Sequence, residues 1–265
     1  MELVAASKMR RAQEQTLMTR DYARLAGQIL TRLRELTDVS KHPLFVQRAV
    51  KNKLYLVVTS DRGLAGAYNS NVLRQLTRSL QQDATDTVSP QMIIVGKQAA
   101  RFVARLENVT VLASYTDFPE KPTANDIRPI LNTITELFTA GDIDAVDAIF
   151  TDYQSSITQV VKVDRVLPAA FASEAISHDL EAAVFEPSPK EVLETVTMRL
   201  IEAQLSQIFY ESQASEQSMR MMAMKNATDN ANELVDDLTL AFNTARQAAI
   251  TQELAEITGG AEAMK

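Results

Sequence analysis

After Pro189 the chain runs 76 residues to Lys265 without a proline, and the only glycines in that stretch are Gly259 and Gly260. Proline removes an amide donor and clashes with the preceding turn, and glycine costs backbone entropy, so their joint absence removes the usual interruptions of a helix. Ser188-Pro189-Lys190-Glu191 supplies a start: Ser can cap free N–H groups, Pro suits the first helical position and Glu completes a capping box. Gly259-Gly260 reads as the stop. Seventy helical residues would make a rod of roughly 105 Å, more than an ordinary domain needs. The other end is similar, because residues 1–42 contain a single breaker, Gly27. All eight prolines lie between Pro43 and Pro189. The pattern predicts a punctuated middle between two long terminal helices, and it argues against all-β, disordered and collagen-like chains.

Residues 1–53 carry 11 Lys/Arg against 5 Asp/Glu, while residues 189–265 carry 6 against 12. A basic first helix and an acidic last one attract when packed side by side. A nucleic-acid surface is disfavoured: Arg10-Arg11 has no aromatic platform, and the net charge is −7. With no cysteine there is no disulfide framework, thiolate nucleophile or thiol switch. No apolar run reaches the ~18 residues of a membrane span and no secretory leader follows Met1, so the expectation is a soluble protein on the cytosolic side.

Ala5, Met9, Ala12, Thr16, Thr19, Ala23, Ala26, Leu30 and Leu33 alternate spacings of four and three, a coiled-coil seam within a helix from Glu2 to about Leu36. Met224, Ala227, Ala231, Leu234, Leu238, Ala241, Ala245 and Ala248 do the same in the last segment. The two seams predict an antiparallel pair. The last helix is the longer, so part of it must pack on the middle domain, stand unpaired or meet another protein. Between them, strands are expected at 54–59, 91–95, 109–112, 144–153 and 157–167, and helices at 71–82, 99–106 and 126–140. Alternating strand and helix implies a largely parallel, Rossmann-like sheet with helices on both faces, closed at one edge by a hairpin through Gln154-Ser155-Ser156. The expected organisation is a first helix over 1–42, an α/β domain over 43–187 and a last helix over 188–265.

Few residues in this sequence carry chemistry. Ser60-Asp61-Arg62-Gly63-Leu64-Ala65-Gly66 stands where a doubly wound fold binds phosphate, but it lacks GxGxxG spacing and a GK[ST] ending. Gly96-Lys97 lacks the Ser/Thr that would hold magnesium. The plain reading is a tight turn with Asp61 and Arg62 paired locally. His42 and His178 fall in loops without ligand spacing. Asp142, Asp144 and Asp147 are expected to be solvated at a strand entrance, and Met219, Met221, Met222 and Met224 to serve packing. No catalytic, cofactor or metal site is expected.

Four stretches are specific beyond any short motif: ELVAASKMR at 2–10, SDRGLAGAYNSN at 60–71, ASEQSMRMMAMKNATDNANEL at 214–234 and ARQAAITQELAEITGGA at 245–261. Through them the chain resembles the gamma subunit of the F-type ATP synthase over essentially its whole length. The resemblance implies a rotor whose paired terminal helices form a shaft inside a hexamer of three alpha and three beta subunits. Its α/β domain would stand on the c-subunit ring beside the epsilon subunit, at the cytoplasmic face of a bacterial plasma membrane. Chemistry would belong to beta, with the shaft shifting populations among its three sites. Family contacts with the beta catch region match Arg246, Gln247, Thr251 and Glu253, and Arg220, a shaft position of the family, is placed with them. Phe185 and Glu186 match the approach to the c ring, and Ile250, Leu254 and Ile257 an apolar bearing. Absence of a cysteine-bearing insert favours a bacterial over a plastid type. Met1 falls within what is mid-helix in the family, so either residues precede it and pair with the end of the long helix, or the shaft tip is a single helix. Two other classes remain open: a Rossmann-type enzyme with helical oligomerisation arms, and a helical scaffold that does not turn.

Overall fold

A computed structural model describes residues 1–38, 42–107, 109–169 and 185–263. The chain divides into two units, Met1–Met221 and Met222–Lys265.

The first unit is built on a five-stranded sheet. After helix α1 (Glu2–Leu36) and a single 3-10 turn at Pro43–Phe45 come β1 (Asn52–Val58), α2 (Tyr68–Thr85), β2 (Ser89–Val95) and α3 (Lys97–Val103). They are followed by β3 (Thr110–Tyr115), α4 (Ala124–Ala140), β4 (Ala145–Tyr153), β5 (Gln159–Leu167) and α5 (Pro189–Ala263). The sheet order is β3-β2-β1-β4-β5. The first three pairings are parallel and β4–β5 is antiparallel, so the expected hairpin closes one edge.

Side chains alternate across a strand, and here that alternation makes two cores. Leu54, Leu56, Val58, Ile93, Val95, Val146, Ala148 and Phe150 point to one face, where they meet Leu30 and Leu33 of α1, Ile127, Ile134 and Phe138 of α4, and Leu193, Leu200 and Leu205 of α5. Tyr55, Val57, Met92, Ile94 and Ile149 point to the other face, against Val72 and Leu76 of α2 and Ala99 and Val103 of α3. Every residue of β4 is buried, as befits a strand covered on both faces. Local signals set the ends of α4: the Thr123 amide donates to Asp126 Oδ2 at 2.7 Å, and Gly141 leaves the helix at φ +84°. At the start of α5, Ser188 Oγ accepts from the Glu191 amide at 3.3 Å, the cap the sequence predicted.

Within this unit α1 and α5 run antiparallel. Ala12 packs with Ala214 against Tyr153, and Arg20 pairs with Glu211, so numbering falls on one helix as it rises on the other. Of the buried α1 seam, Ala12, Ala26, Leu30 and Leu33 therefore share their packing with the stretch of α5 before Met222. This corrects the expected register, in which the seam of α1 met the heptads at 224–248. Those positions are exposed, apart from half-buried Met224. A heptad marks which side of a helix is apolar and says nothing of what covers it.

The second unit is the remainder of α5. It does not end at Gly259-Gly260; the helix continues to Ala263. Almost every described side chain in it faces solvent, including Leu234, Val235, Leu238, Leu240, Phe242, Ile250, Leu254 and Ile257.

Candidate functional site

In an open, mostly parallel sheet a ligand binds beyond the carboxyl ends of the strands, where the strand order reverses. Here that place lies between β1 and β4, and α5 occupies it. Ser215 Oγ donates to the Thr151 carbonyl at 3.1 Å, Ser218 Oγ to the Ser156 carbonyl at 2.7 Å, and Tyr68 OH to Ser212 Oγ at 3.1 Å. Ser212, Ser215 and Ser218 are buried. Short hydroxyl side chains let the helix lie close on the strand ends while satisfying backbone groups that would otherwise be orphaned.

The loop after β1 is also committed to structure. Ser60 is buried; its amide donates to Asn69 Oδ1 at 3.0 Å and its hydroxyl to the Arg62 carbonyl at 2.6 Å. Asp61 does not make the expected pair with Arg62. Its Oδ1 accepts from the amides of Lys97 and Asp117 at 3.0 and 3.1 Å, so the start of α3 already holds a carboxylate. The Lys97 ammonium is 2.6 Å from Asp117. Gly96 has φ +99°, and a Cβ there would lie 2.2 Å from the Thr59 carbonyl oxygen. Glycine is required by the close approach of two backbone segments, with no phosphate involved.

The other polar candidates resolve similarly. His42 Nδ1 accepts from the Leu44 amide at 3.3 Å, and burial pushes the imidazole below its ordinary value. His178 lies outside the described residues. Asp144 is held low by the Asn52 and Lys51 amides that donate to it. Asp147 corrects the expectation of a solvated carboxylate: it is buried, paired with Arg165 and 3.8 Å from Lys53, which in turn reaches buried Asp83 at 2.6 Å. Its partners come from adjacent strands, a non-local arrangement that no spacing reveals. Met219, Met221 and Met224 are half-buried, whereas Met222 is exposed. Among the described residues, no group of three His, Cys, Asp or Glu side chains is placed to hold a metal, and no helix is long and apolar enough to cross a membrane.

The residues singled out as contact positions fall in three places. Arg220 is anchored inside the first unit: it pairs with Glu216 at 2.6 Å and its Nη2 lies 3.4 Å from the Gly63 carbonyl. Burial raises the Glu216 carboxyl, with Asp61 and Glu120 adding to the rise and Arg220 opposing it. Phe185 packs on the large core, while Glu186 is exposed. Arg246, Gln247, Thr251 and Glu253 are exposed on the second unit. At 100° per residue they span an arc of about 160°, with Ile250, Leu254 and Ile257 inside it.

The second unit carries a further signal that the heptads obscured. Leu238 and Leu240 lie about 160° apart around the helix, and Val235, Phe242 and Ile250 fall between them on the longer arc's side. Exposed large apolar residues thus occupy most of the circumference. Apolar side chains spread over so wide an arc present more surface than one partner helix covers. Burial of each such side chain stabilises by about 1.5–3 kcal/mol.

Comparison with known proteins agrees across the whole chain. A family model described as ATP synthase matches residues 1–264. An ATP synthase gamma chain of Psychrobacter arcticus is 37% identical over 270 residues, which covers 100% of this chain and 92% of that protein. One of Moorella thermoacetica is 38% identical over 265 residues, with the same coverages. Among solved structures, a chain from the central stalk and c ring of the Tetrahymena thermophila mitochondrial ATP synthase superposes with a TM-score of 0.66 at 23% identity, covering 86% of this chain and 97% of that one. A chain of the Euglena gracilis mitochondrial ATP synthase gives 0.61 at 18% identity, covering 99% and 94%. These two likenesses concern the fold.

Proposed function

The chain belongs to the ATP synthase gamma-chain family, and from that premise we propose that it is the rotor of the central stalk in a proton-transporting ATP synthase. It is a subunit of a membrane-associated complex. Rotation of the membrane-embedded c ring turns it, and it cycles the catalytic beta subunits for ATP synthesis or, in reverse, hydrolysis. Residues 1–42 and 188–265 are the shaft and 43–187 the foot. The shaft enters the alpha–beta hexamer; the foot meets the c ring through Phe185 and Glu186 and has epsilon as its neighbour. The complex works at the cytoplasmic face of a bacterial plasma membrane. Arg246, Gln247, Thr251 and Glu253 engage the beta catch region, and Arg220 fixes the base of the shaft to the loop at Gly63.

The observation that carries this reading is the second unit: a helix with apolar side chains around most of its circumference, exposed in the isolated chain. A collar of several subunits covers so wide an apolar arc, which a single partner helix does not. Because the helix has no rotational symmetry, it presents a different face to each surrounding subunit. That difference in contact free energy is what shifts populations among otherwise equal sites. Arg246 and Glu253 bring opposite charges to one side of it, and Ile250, Leu254 and Ile257 bring apolar surface.

The subunit is non-catalytic. In support, the crevice that would hold a nucleotide is filled by α5, and the start of α3 is occupied by Asp61. Reconstitution with alpha, beta and epsilon subunits tests the proposal: a stable complex is expected in which a probe on the α/β domain rotates during ATP hydrolysis. A chain that stays free of the hexamer, or binds it without turning, overturns the rotor reading. Direct nucleotide binding by the isolated chain would support the enzyme instead.

A further inference from the structure

Where the α/β domain meets the early turns of α5, a cavity of about 560 Å³ opens between α4, the 3-10 turn at Pro43–Phe45 and α5, all within the first unit. Small-molecule sites run to roughly 300–1,000 Å³, so this one has the size of a ligand pocket. Pro43, Leu44, Ala140 and Met198 give it an apolar surface. Thr135 also lines it, but spends its hydroxyl on the Leu131 carbonyl at 2.9 Å.

Three titratable groups stand on the wall: His42 beside the 3-10 turn, Glu136 of α4 and Glu194 of α5. Both glutamates are exposed, and among the described residues neither has an ion-pair partner. His42 does not supply the missing positive charge. Its Nδ1 accepts from the Leu44 amide at 3.3 Å, so that nitrogen carries no proton and the ring is neutral. Burial favours the same neutral form, against the charge of Glu194. The cavity therefore sets two uncompensated carboxylates beside an apolar floor. An anion is repelled there, and a neutral apolar molecule leaves the charge unanswered. A ligand that answers both features has a hydrocarbon body and a cationic head.

We propose that this cavity binds a small lipophilic amine: its hydrocarbon lies on Leu44 and Met198, and its ammonium meets Glu136 and Glu194. This goes beyond the rotor reading and stands without it. A primary ammonium has three donors and so serves two carboxylates at once. The two carboxylates come from different helices, so the bound amine ties α4 to the start of α5. Because the charges lie at a solvated rim, their share of the affinity is modest and falls as salt rises.

Met198 reports occupancy of the cavity. Methyl NMR of the full chain, carbon-13-labelled at methionine, is run with n-hexylammonium, n-hexanol and n-hexanoate, and Met198→Leu identifies the signal. Hexylammonium should shift the Met198 signal saturably, with a Kd of about 1 mM. Hexanol should bind about fivefold more weakly, and hexanoate should give no saturable shift. Glu136→Gln combined with Glu194→Gln should lower the affinity for hexylammonium to that for hexanol, as should about 0.5 M salt. Glu107→Gln, which does not touch the cavity, should leave binding unchanged. No saturable shift of Met198, equal affinity for hexylammonium and hexanol, or unchanged affinity in the double variant overturns the proposal. Should the double variant not fold, the salt dependence and the comparison with hexanol in the unmodified chain decide.

Discussion

Phe138 and Phe242 are the same side chain in opposite circumstances. Phe138, on α4, is wholly buried among strand and helix residues, whereas Phe242, on the second unit, is 64% exposed. The contrast extends to the units around them. In residues 1–221 the apolar faces of helices and sheet meet one another, and Ser215 and Asp83, brought inside, find partners in the Thr151 carbonyl and Lys53. In residues 222–263 the backbone is satisfied by the helix itself, but the apolar side chains are not covered. One unit is organised to be stable alone; the other is organised to be completed by something else. Truncating the two phenylalanines measures that difference directly. Phe138→Ala should destabilise the isolated chain by about 3–5 kcal/mol in denaturant unfolding. Phe242→Ala should stay within about 0.5 kcal/mol in the same measurement and show its effect only as weaker binding to the alpha–beta hexamer. Equal losses in the isolated chain would mean that the second unit has a core after all.

Glycine offers the next sharpest contrast. Gly96 sits at φ +99° with the Thr59 carbonyl in the place of any Cβ. Relief would require pulling β1 and β2 apart at their ends, where the Thr59 amide bonds Val95 at 2.9 Å. Gly96→Ala should therefore cost more than about 2 kcal/mol, seen as a lowered unfolding midpoint with unchanged slope. A neutral Gly96→Ala would show that the turn relaxes freely and that the close approach is incidental.

The same contrast explains what the sequence disclosed and what it hid. Strands and helices of the first unit were legible to within a few residues, because their signals lie in the local sequence, as in the apolar run Leu54 to Val58 of β1. The hairpin at Gln154-Ser155-Ser156 was legible for the same reason: its signals are local. Asp147 was misread because its counterions, Arg165 and Lys53, come from neighbouring strands. The Arg20–Glu211 ion pair joins two helices far apart in the chain and leaves no trace in spacing. The heptads at 224–248 were visible, yet their partner was not, since the apolar stripe of a helix looks alike whether it faces α1 or another subunit. Arg246 and Gln247 were singled out by resemblance alone; exposed on a lone helix, they carry no structural mark of a site.

For those two residues the comparison yields a functional test. Changed together to Ala, they touch nothing in the isolated chain, so its unfolding should be unaltered within about 0.5 kcal/mol. In the reconstituted complex the double variant should assemble but deliver less torque for the same ATP-driven rotation. Unaltered torque would remove both residues from the contact with beta and leave the apolar positions Ile250, Leu254 and Ile257 to carry it.

The smallest effect concerns the two glycines near the far end. Nothing lies within 4 Å of a Cβ built at Gly259 or at Gly260, and both sit inside the helix. In a helix interior each glycine costs roughly 0.5–1 kcal/mol against alanine. Gly259→Ala and Gly260→Ala should therefore raise helicity in the isolated chain and slow amide exchange in its last turns. If the same substitutions also leave rotation unchanged, the glycines are tolerated only because the helix end has little to hold. If they slow it, the end must bend in each turn of the motor, and the glycines serve the movement at the expense of the helix. The isolated chain and the complex thus assign different roles to one pair of residues, and only the complex can report the second.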